Sequence, residues 1–137
     1  IMSKLIISRL DYFRILKCIN DAIQLNLTSS LDLKKLLNEI NSAEIVNPND
    51  MPSNVVTMNS IVKMTFLTNN KQTKIQIVYP ENANYKENKI SILSPVATAL
   101  IGYQVGDVIE WLVPSGVTKM KIDEIIFQPE AAGEFLL

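Results

Sequence analysis

The segment from Ile90 to Val117 is the part of the chain that most restricts its possible folds. Its pattern predicts a strand, a short helix, a tight turn and a second strand. Ser94 suits the N-cap of the helix because its hydroxyl can accept a backbone hydrogen bond, and Pro95 suits the first helical position, where no N–H is needed. Gly102 is expected to end the helix in a left-handed conformation. Gly106-Asp107 then turns the chain into the next strand.

The composition describes an ordinary folded chain with no excess of either charge. It has 137 residues, of which 47% are hydrophobic, and this is enough for one domain or for a small domain with an appendage. The formal net charge is −1, from 13 basic and 14 acidic residues. Because binding to phosphates normally needs a clustered basic excess, we expect no direct, sequence-specific binding to nucleic acid.

Side chains that could support catalysis are scarce. The chain has no histidine, which excludes Ser-His and Cys-His catalysis and any His-ligated metal site. Its single cysteine, Cys18, lies in a helical pattern and is interpreted as a small, half-buried apolar residue. The apolar runs are far too short for a membrane span or the core of a signal peptide. We therefore expect a soluble, cytoplasmic monomer that uses no cofactor.

Residues 8–46 have the periodicity of two helices separated by a short break. Ser8 begins the first helix in a capping-box-like sequence, with Asp11 in place of the usual glutamate. Its apolar face is predicted at Tyr12, Leu16, Ile19 and Ile23. The second helix is predicted to begin at Ser29 or Ser30, with an apolar face at Leu33, Leu36, Leu37, Ile40 and Ala43. So short a break makes the pair antiparallel, and each helix is about 16 residues or roughly 24 Å long.

A linker follows at residues 46–52, where two prolines and three Asn or Asp residues prevent a helix from continuing. We place the domain boundary there, with a helical hairpin at residues 1–48 and a second domain at residues 49–137. Strands in the second domain are predicted at residues 55–58, 60–67, 74–79, 89–93, 108–113 and 117–127. Asn69-Asn70 is the expected hairpin turn. The fold class is α+β: a short antiparallel helical hairpin, or coiled coil, followed by an antiparallel sheet with one short helix.

Several segments of the second domain also form a recognisable set. They are Val56–Met58, Ile75–Pro80, Ile90–Ile92, Ser94-Pro95, Ala99–Gly102 and Gly106-Asp107. Through them the domain resembles the C-terminal domain of the Gre family of bacterial transcript-cleavage factors. The resemblance implies an FKBP-like fold that docks on RNA polymerase at the rim of the secondary channel, while the helical hairpin points down the channel.

A closer resemblance is carried by residues 51–60, 94–102 and 128–137. In these three segments together the chain is similar to the Rnk proteins, Gre-like polymerase binders that are named regulators of nucleoside diphosphate kinase. The similarity is dense from Met51 onward and loose before it. RNA polymerase is therefore the partner that the resemblance implies.

The hairpin departs from the Gre pattern at its tip. Gre factors carry two carboxylates there, which help to hold a Mg²⁺ ion in the polymerase active centre. The hairpin here is shorter, and residues 24–31 include no acid. Asp21 and Asp32 flank the break and are interpreted as solvated or capping residues. The expected function is thus that of a non-enzymatic regulator, which competes with Gre factors without stimulating transcript cleavage.

The resemblance also implies where the polymerase is bound. In Gre factors an acidic residue precedes a Ser-Pro pair after the corresponding strand, and this group contributes to polymerase contact. Here Leu93 takes the acidic position before Ser94 and Pro95. These three residues are the predicted partner-binding site, with an apolar contact replacing the polar one. Ser94 and Pro95 would also serve as helix cap and first helical residue in any protein.

Three other functions remain open from the sequence. The first is an active cleavage factor, and the second is a prolyl isomerase, as the FKBP-like fold class suggests. Isomerases of that fold line their pocket with several aromatic side chains, whereas the aromatic residues here are spread along the chain, and fold alone is a poor guide to activity. The third is regulation of nucleoside diphosphate kinase. Because the sequence contains no phosphate-binding glycine loop, such a link is expected to be indirect.

Overall fold

A computed structural model describes residues 5–25, 30–113 and 116–134 of the chain. The described part contains the following helices and strands: β1 (Ile6–Ser8), α1 (Arg9–Leu25), α2 (Ser30–Ser42), β2 (Glu44–Val46), β3 (Ile61–Phe66), β4 (Lys71–Val78), β5 (Lys89–Ser91), α3 (Pro95–Leu100), β6 (Val108–Val113) and β7 (Gly116–Phe127). Short 3-10 helices lie at Pro48–Asp50, Pro80–Asn82 and Tyr85–Glu87. This mixture of helices and sheet confirms the predicted α+β class.

The first two helices are antiparallel, and a pair of short strands joins the start of the first helix to the end of the second. Strand β1 precedes α1 and pairs in parallel with β2, which follows α2. The hydroxyl of Tyr12 donates to Oδ1 of Asn41 at 3.0 Å, near the same end. Ser8 caps α1, since its Oγ accepts a hydrogen bond from the N–H of Asp11 at 3.0 Å. The sequence placed residues 44 and 45 at the end of the second helix, and this was wrong because they lie in β2, which pairs with β1.

The buried face of α1 differs from the predicted one. The buried residues of the helix are Asp11, Ile15, Ile19 and Ala22. Ile23 is 55% exposed, so its predicted burial was wrong. In α2 the prediction holds better: Leu33, Leu36 and Ile40 are buried, and Leu37 packs against them from a partly buried position. The alternative cap of α2, Ser29, lies outside the described residues.

The main sheet has five strands in the order β5-β4-β3-β7-β6. Strand β3 pairs antiparallel with β4 and β7, and β6 pairs antiparallel with β7. Strands β4 and β5 are parallel, so the prediction of a wholly antiparallel sheet was wrong. The turn at Asn69-Asn70 is confirmed, with Asn70 at φ 55° and Oδ1 of Asn69 accepting from the N–H of Lys71 at 3.0 Å. Residues 55–58 do not form a strand beyond one bridge from Val55 to Gln104.

One hydrophobic cluster joins the helices to the sheet. It includes Ile15 and Ile40 from the first two helices, Leu100 from α3, and Met64 and Ile122 from the sheet, each no more than 1% exposed. Burial of this kind is worth about 25 cal/mol per Å² of apolar surface, so the helices and the sheet stabilise each other. The boundary between residues 48 and 49 stays a prediction. Within the described residues, none of the helices is long and apolar enough to cross a lipid bilayer.

Candidate functional site

The predicted partner-binding residues lie where the edge strand β5 leads into α3. Ser94 has φ −75° and ψ 150°, and its Oγ accepts a hydrogen bond from the N–H of Ala97 at 3.5 Å. Pro95 occupies the first turn, so the predicted helix start is confirmed. Leu93 is half-buried and packs against the hydrophobic core. The structure therefore brings Leu93, Ser94 and Pro95 together on one continuous turn, with Leu93 and Ser94 partly accessible.

Hydrogen bonds on both sides hold this turn in one conformation. The N–H of Leu93 donates to Oγ of Ser91 at 3.1 Å, and the N–H of Ser94 donates to the carbonyl of Ser91 at 2.9 Å. The hydroxyl of Thr98 reaches back to the carbonyl of Ile92 at 2.9 Å. A surface fixed before binding loses little conformational freedom on association, which favours contact with a protein partner.

The far end of α3 is closed by a turn in which Gly102 has φ +82°. The N–H of Tyr103 donates to the carbonyl of Leu100 at 3.2 Å, and Ile101 has φ −60° and ψ 132°. This is a type II turn, which requires a residue with positive φ at its third position. The left-handed conformation predicted for Gly102 is confirmed.

Gly102 is also the point where the N-terminal strand β1 meets the turn after α3. Its carbonyl accepts from the N–H of Ile6 at 3.2 Å, and its own N–H donates to the carbonyl of Val56 at 2.9 Å. A Cβ on Gly102 would lie 3.2 Å from Cβ of Leu5. The strand that leads into the hairpin thus lies directly on the end of the helix that follows the candidate site.

A buried carboxylate forms a second link, between α1 and the segment before β3, and the sequence pattern did not predict it. Asp11 is 3% exposed, and its Oδ2 accepts a hydrogen bond from the N–H of Met58 at 3.1 Å. Desolvation raises the pKa of Asp11 to about 7; the Met58 hydrogen bond lowers it and the charge of Glu130 raises it further. Asp11 was expected to act only within its own helix, whereas it ties α1 to a residue 47 positions away.

The segment after β7 contacts residues 52–57, which lie directly before Met58 in the chain. Nε2 of Gln128 donates to the carbonyls of Pro52 and Val55 at 2.8 and 2.7 Å. Oε1 of Glu130 accepts from the hydroxyl of Thr57 at 2.8 Å. These contacts fasten residues 52–57 between the hairpin and the chain's last described segment. Residues 135–137, the end of the segment that carries part of the resemblance to the Rnk proteins, lie outside the described residues.

The residues considered for chemistry are dispersed. Cys18 is half-buried, and burial raises the pKa of its thiol, so the reactive thiolate is disfavoured. Asp21 is exposed on α1. Lys119 and Lys121 are exposed, while Met120 between them is buried, as expected for a strand with one solvated face. Within residues 5–25, 30–113 and 116–134, no group of three or more His, Cys, Asp or Glu side chains is placed to hold a metal ion.

Residues 51–127 match the family described as "Transcription elongation factor, GreA/GreB, C-term". The regulator of nucleoside diphosphate kinase from Escherichia coli strain K12 is 41% identical over 100 residues, which are 72% of this chain and 74% of that protein. Transcription elongation factor GreA from Clostridium botulinum strain Langeland is 41% identical over 91 residues, which are 66% of this chain and 57% of that protein.

A solved structure shows the same likeness in three dimensions. It is the prokaryotic transcription elongation factor GreA/GreB from Nitrosomonas europaea, with a TM-score of 0.74 and 35% sequence identity. The similarity covers 90% of this chain and all of that one (100%). It therefore extends over the helices as well as the sheet.

Proposed function

Because the chain belongs to the GreA/GreB transcription elongation factor family, we propose that it is a non-enzymatic regulator which binds RNA polymerase at the secondary channel. It competes there with Gre factors and does not stimulate transcript cleavage. It acts as a monomer in the cytoplasm. The kinase named in its Escherichia coli relative is connected with this function only indirectly, through transcription.

The domain that carries the five-stranded sheet is the anchor, and we assign it an FKBP-like fold. Leu93, Ser94 and Pro95 contact the polymerase at the rim of the channel. Two features support this assignment. The turn is held by a hydrogen bond that Oγ of Ser91 accepts and one that the hydroxyl of Thr98 donates, and Leu93 offers an apolar side chain that is only half-buried. An apolar contact at this position needs no charged group on either partner.

The observation that carries the proposal is the tip of the hairpin. Residues 24–31 contain no acid, and α1, with 17 residues, reaches about 26 Å. Two-metal catalysis needs oxygen ligands in contact with the ion. A short hairpin without acids at its tip occupies the channel entrance but brings no ligand to the metal, so the mechanism is occlusion.

Backtracked elongation complexes with Mg²⁺ test this mechanism directly. The expected result is no transcript shortening above the background rate, and progressive inhibition of the shortening that an added Gre factor produces. Mg²⁺-dependent shortening by the protein itself would show that it is an active cleavage factor and would overturn the proposal.

Capture of purified core polymerase tests the anchor. Pro95→Ala is expected to weaken capture, because it alters the turn that makes the contact. Leu93→Asp is expected to change capture, because it replaces the apolar side chain by the kind of residue that Gre factors carry at this position. Lys119→Ala is the matched control, since this exposed side chain lies on β7. Thermal unfolding of each variant shows whether the fold is intact. If folded Leu93→Asp and Pro95→Ala both bind as well as the control, the anchor is elsewhere.

A further inference from the structure

A cleft of about 440 Å³ separates α1 from the chain segment that follows β4. Arg14, Lys17 and Asp21 line one wall, and their spacing places them on one face of the helix. Tyr79 and Glu81 line the other wall. The cleft lies between the hairpin and the sheet and is separate from the turn at residues 93–95.

The two ends of the cleft carry opposite charges. At the cationic end, Cζ of Arg14 lies 5.8 Å from the ring centroid of Tyr79, and Lys17 follows one helical turn later. At the acidic end, Asp21 lies one helical turn beyond Lys17, and Glu81 faces α1 from the opposite wall. The charges of Glu81 and Asp21 raise the pKa of the Cys18 thiol, after the larger effect of burial, and the charge of Lys17 lowers it. From residue 14 to residue 21 the helix rises roughly 10 Å. The two cations and two acids give the cleft a net charge of zero. Along α1, however, the two positive side chains precede the negative one.

The hydroxyl of Tyr79 adds a second observation at the cationic end. Tyr79 is 7% exposed, and its hydroxyl oxygen is buried. Burial raises the pKa of this phenol, with a smaller contribution from Asp11, while the charge of Arg14 and its hydrogen bond to the hydroxyl lower it. The cationic end of the cleft is therefore built from Arg14 and a buried, neutral phenol, with Lys17 one helical turn away.

We propose that this cleft is a second contact surface for RNA polymerase, where a segment of the polymerase places an acidic side chain at the cationic end and a basic side chain at the acidic end. The identity of the partner rests on the proposed function. Complementary charge patterns fix the orientation of a docked protein more than they add affinity. The cleft lies beside α1, so this contact sets the direction in which the hairpin points once the anchor is bound.

A charge swap that leaves the net charge unchanged tests the proposal. The variant Lys17→Glu with Asp21→Lys exchanges the charges at these two positions of α1, and both side chains are exposed. The control is Glu110→Lys with Lys119→Glu, which reverses an exposed ion pair of 3.8 Å between β6 and β7. Kd for core polymerase is measured for both and for the wild type. We expect the cleft swap to weaken binding about tenfold at low salt and less at high salt, because reversed charges repel; the control swap should change Kd less than about twofold.

Glu81→Lys provides an independent variant on the opposite wall, outside α1. It changes an exposed residue, so it remains informative if the double swap disturbs the helix, and it should also weaken binding in a salt-dependent way. If folded cleft variants bind as tightly as the control, the second contact does not exist although the anchor stands. If the wild type does not bind polymerase, the proposed function fails, and the cleft's assignment with it.

Discussion

The five-stranded sheet and helix α1 bury their apolar side chains in one core, but their sequences reveal this with unequal clarity. In the sheet, Val62 and Met64 are buried and alternate with the half-buried Lys63. A strand offers two faces, and only one of them is apolar. Helix α1 offers a continuous set of directions, and its buried face is centred on Ile15. In a strand, the alternation of apolar and polar residues therefore identifies the buried residues. In a helix, the sequence shows that an apolar face exists, but packing against the rest of the protein decides which residues it buries.

The buried face of α1 was predicted wrongly because it includes a polar residue. Tyr12, Leu16 and Ile23 gave an apolar stripe that excluded Asp11. A carboxylate is costly to bury unless it is hydrogen-bonded, so a sequence pattern counts it as solvated. The N–H of Met58 supplies that hydrogen bond, and the partner lies too far along the chain to be inferred from local spacing.

The largest expected effect is the pH dependence that Asp11 gives to stability. Its pKa is about 7 in the folded chain against the ordinary value of 3.8 for an aspartic acid, so between these two pH values the folded state binds more protons than the unfolded state. The contribution to the free energy of unfolding is therefore fully present below pH 4 and is lost as the pH rises through 7. At 1.36 kcal/mol per unit, the loss is on the order of 4 kcal/mol.

Asp11→Asn isolates this contribution, because the amide oxygen can still accept from Met58 but does not ionise. The other acids are common to both proteins, so the difference between variant and wild type belongs to residue 11. Urea unfolding at pH 4.5 and pH 8 should show the variant gaining stability relative to the wild type as the pH rises. An identical difference at both pH values would mean that Asp11 is solvated and that α1 is not tied to the sheet through it.

Much of the sheet and of the candidate turn could be predicted, because local rules decide them. Ser94 and Pro95 begin a helix wherever the chain permits one, and Gly102 takes the conformation that its turn requires. The parallel pairing of β4 with β5 could not be predicted, since it depends on how residues 79–88 return along the sheet. The cleft beside α1 could not be predicted either, because Arg14 and Glu81 line the same cleft only once packing has decided which face of the helix is buried.

Ile15→Ala has the next largest expected effect and tests the phase of α1. Ile15 is fully buried (0% exposed), and so is Ile122 in the sheet. Ile15→Ala and Ile122→Ala should therefore each lower the free energy of unfolding by about 3 kcal/mol. Leu16→Ala, at a half-buried position, should cost about 1 kcal/mol. Chemical denaturation of the three variants gives the values. If Ile15→Ala and Leu16→Ala lower the free energy of unfolding equally, the result would support the apolar face predicted from the sequence, which includes Leu16.

Gly102→Ala has the smallest expected effect and measures how closely the chain before the hairpin lies on the turn after α3. Gly106→Ala is its matched control: both glycines have positive φ, 82° and 93°, but a Cβ at Gly106 meets nothing within 4 Å. Both variants lose about 1 kcal/mol to backbone strain. Gly102→Ala should lose about 1 kcal/mol more, because its Cβ would lie 3.2 Å from Leu5. Equal losses in thermal or urea unfolding would mean that β1 moves aside freely, and the hairpin would then be joined to the sheet mainly through Asp11 and the shared core.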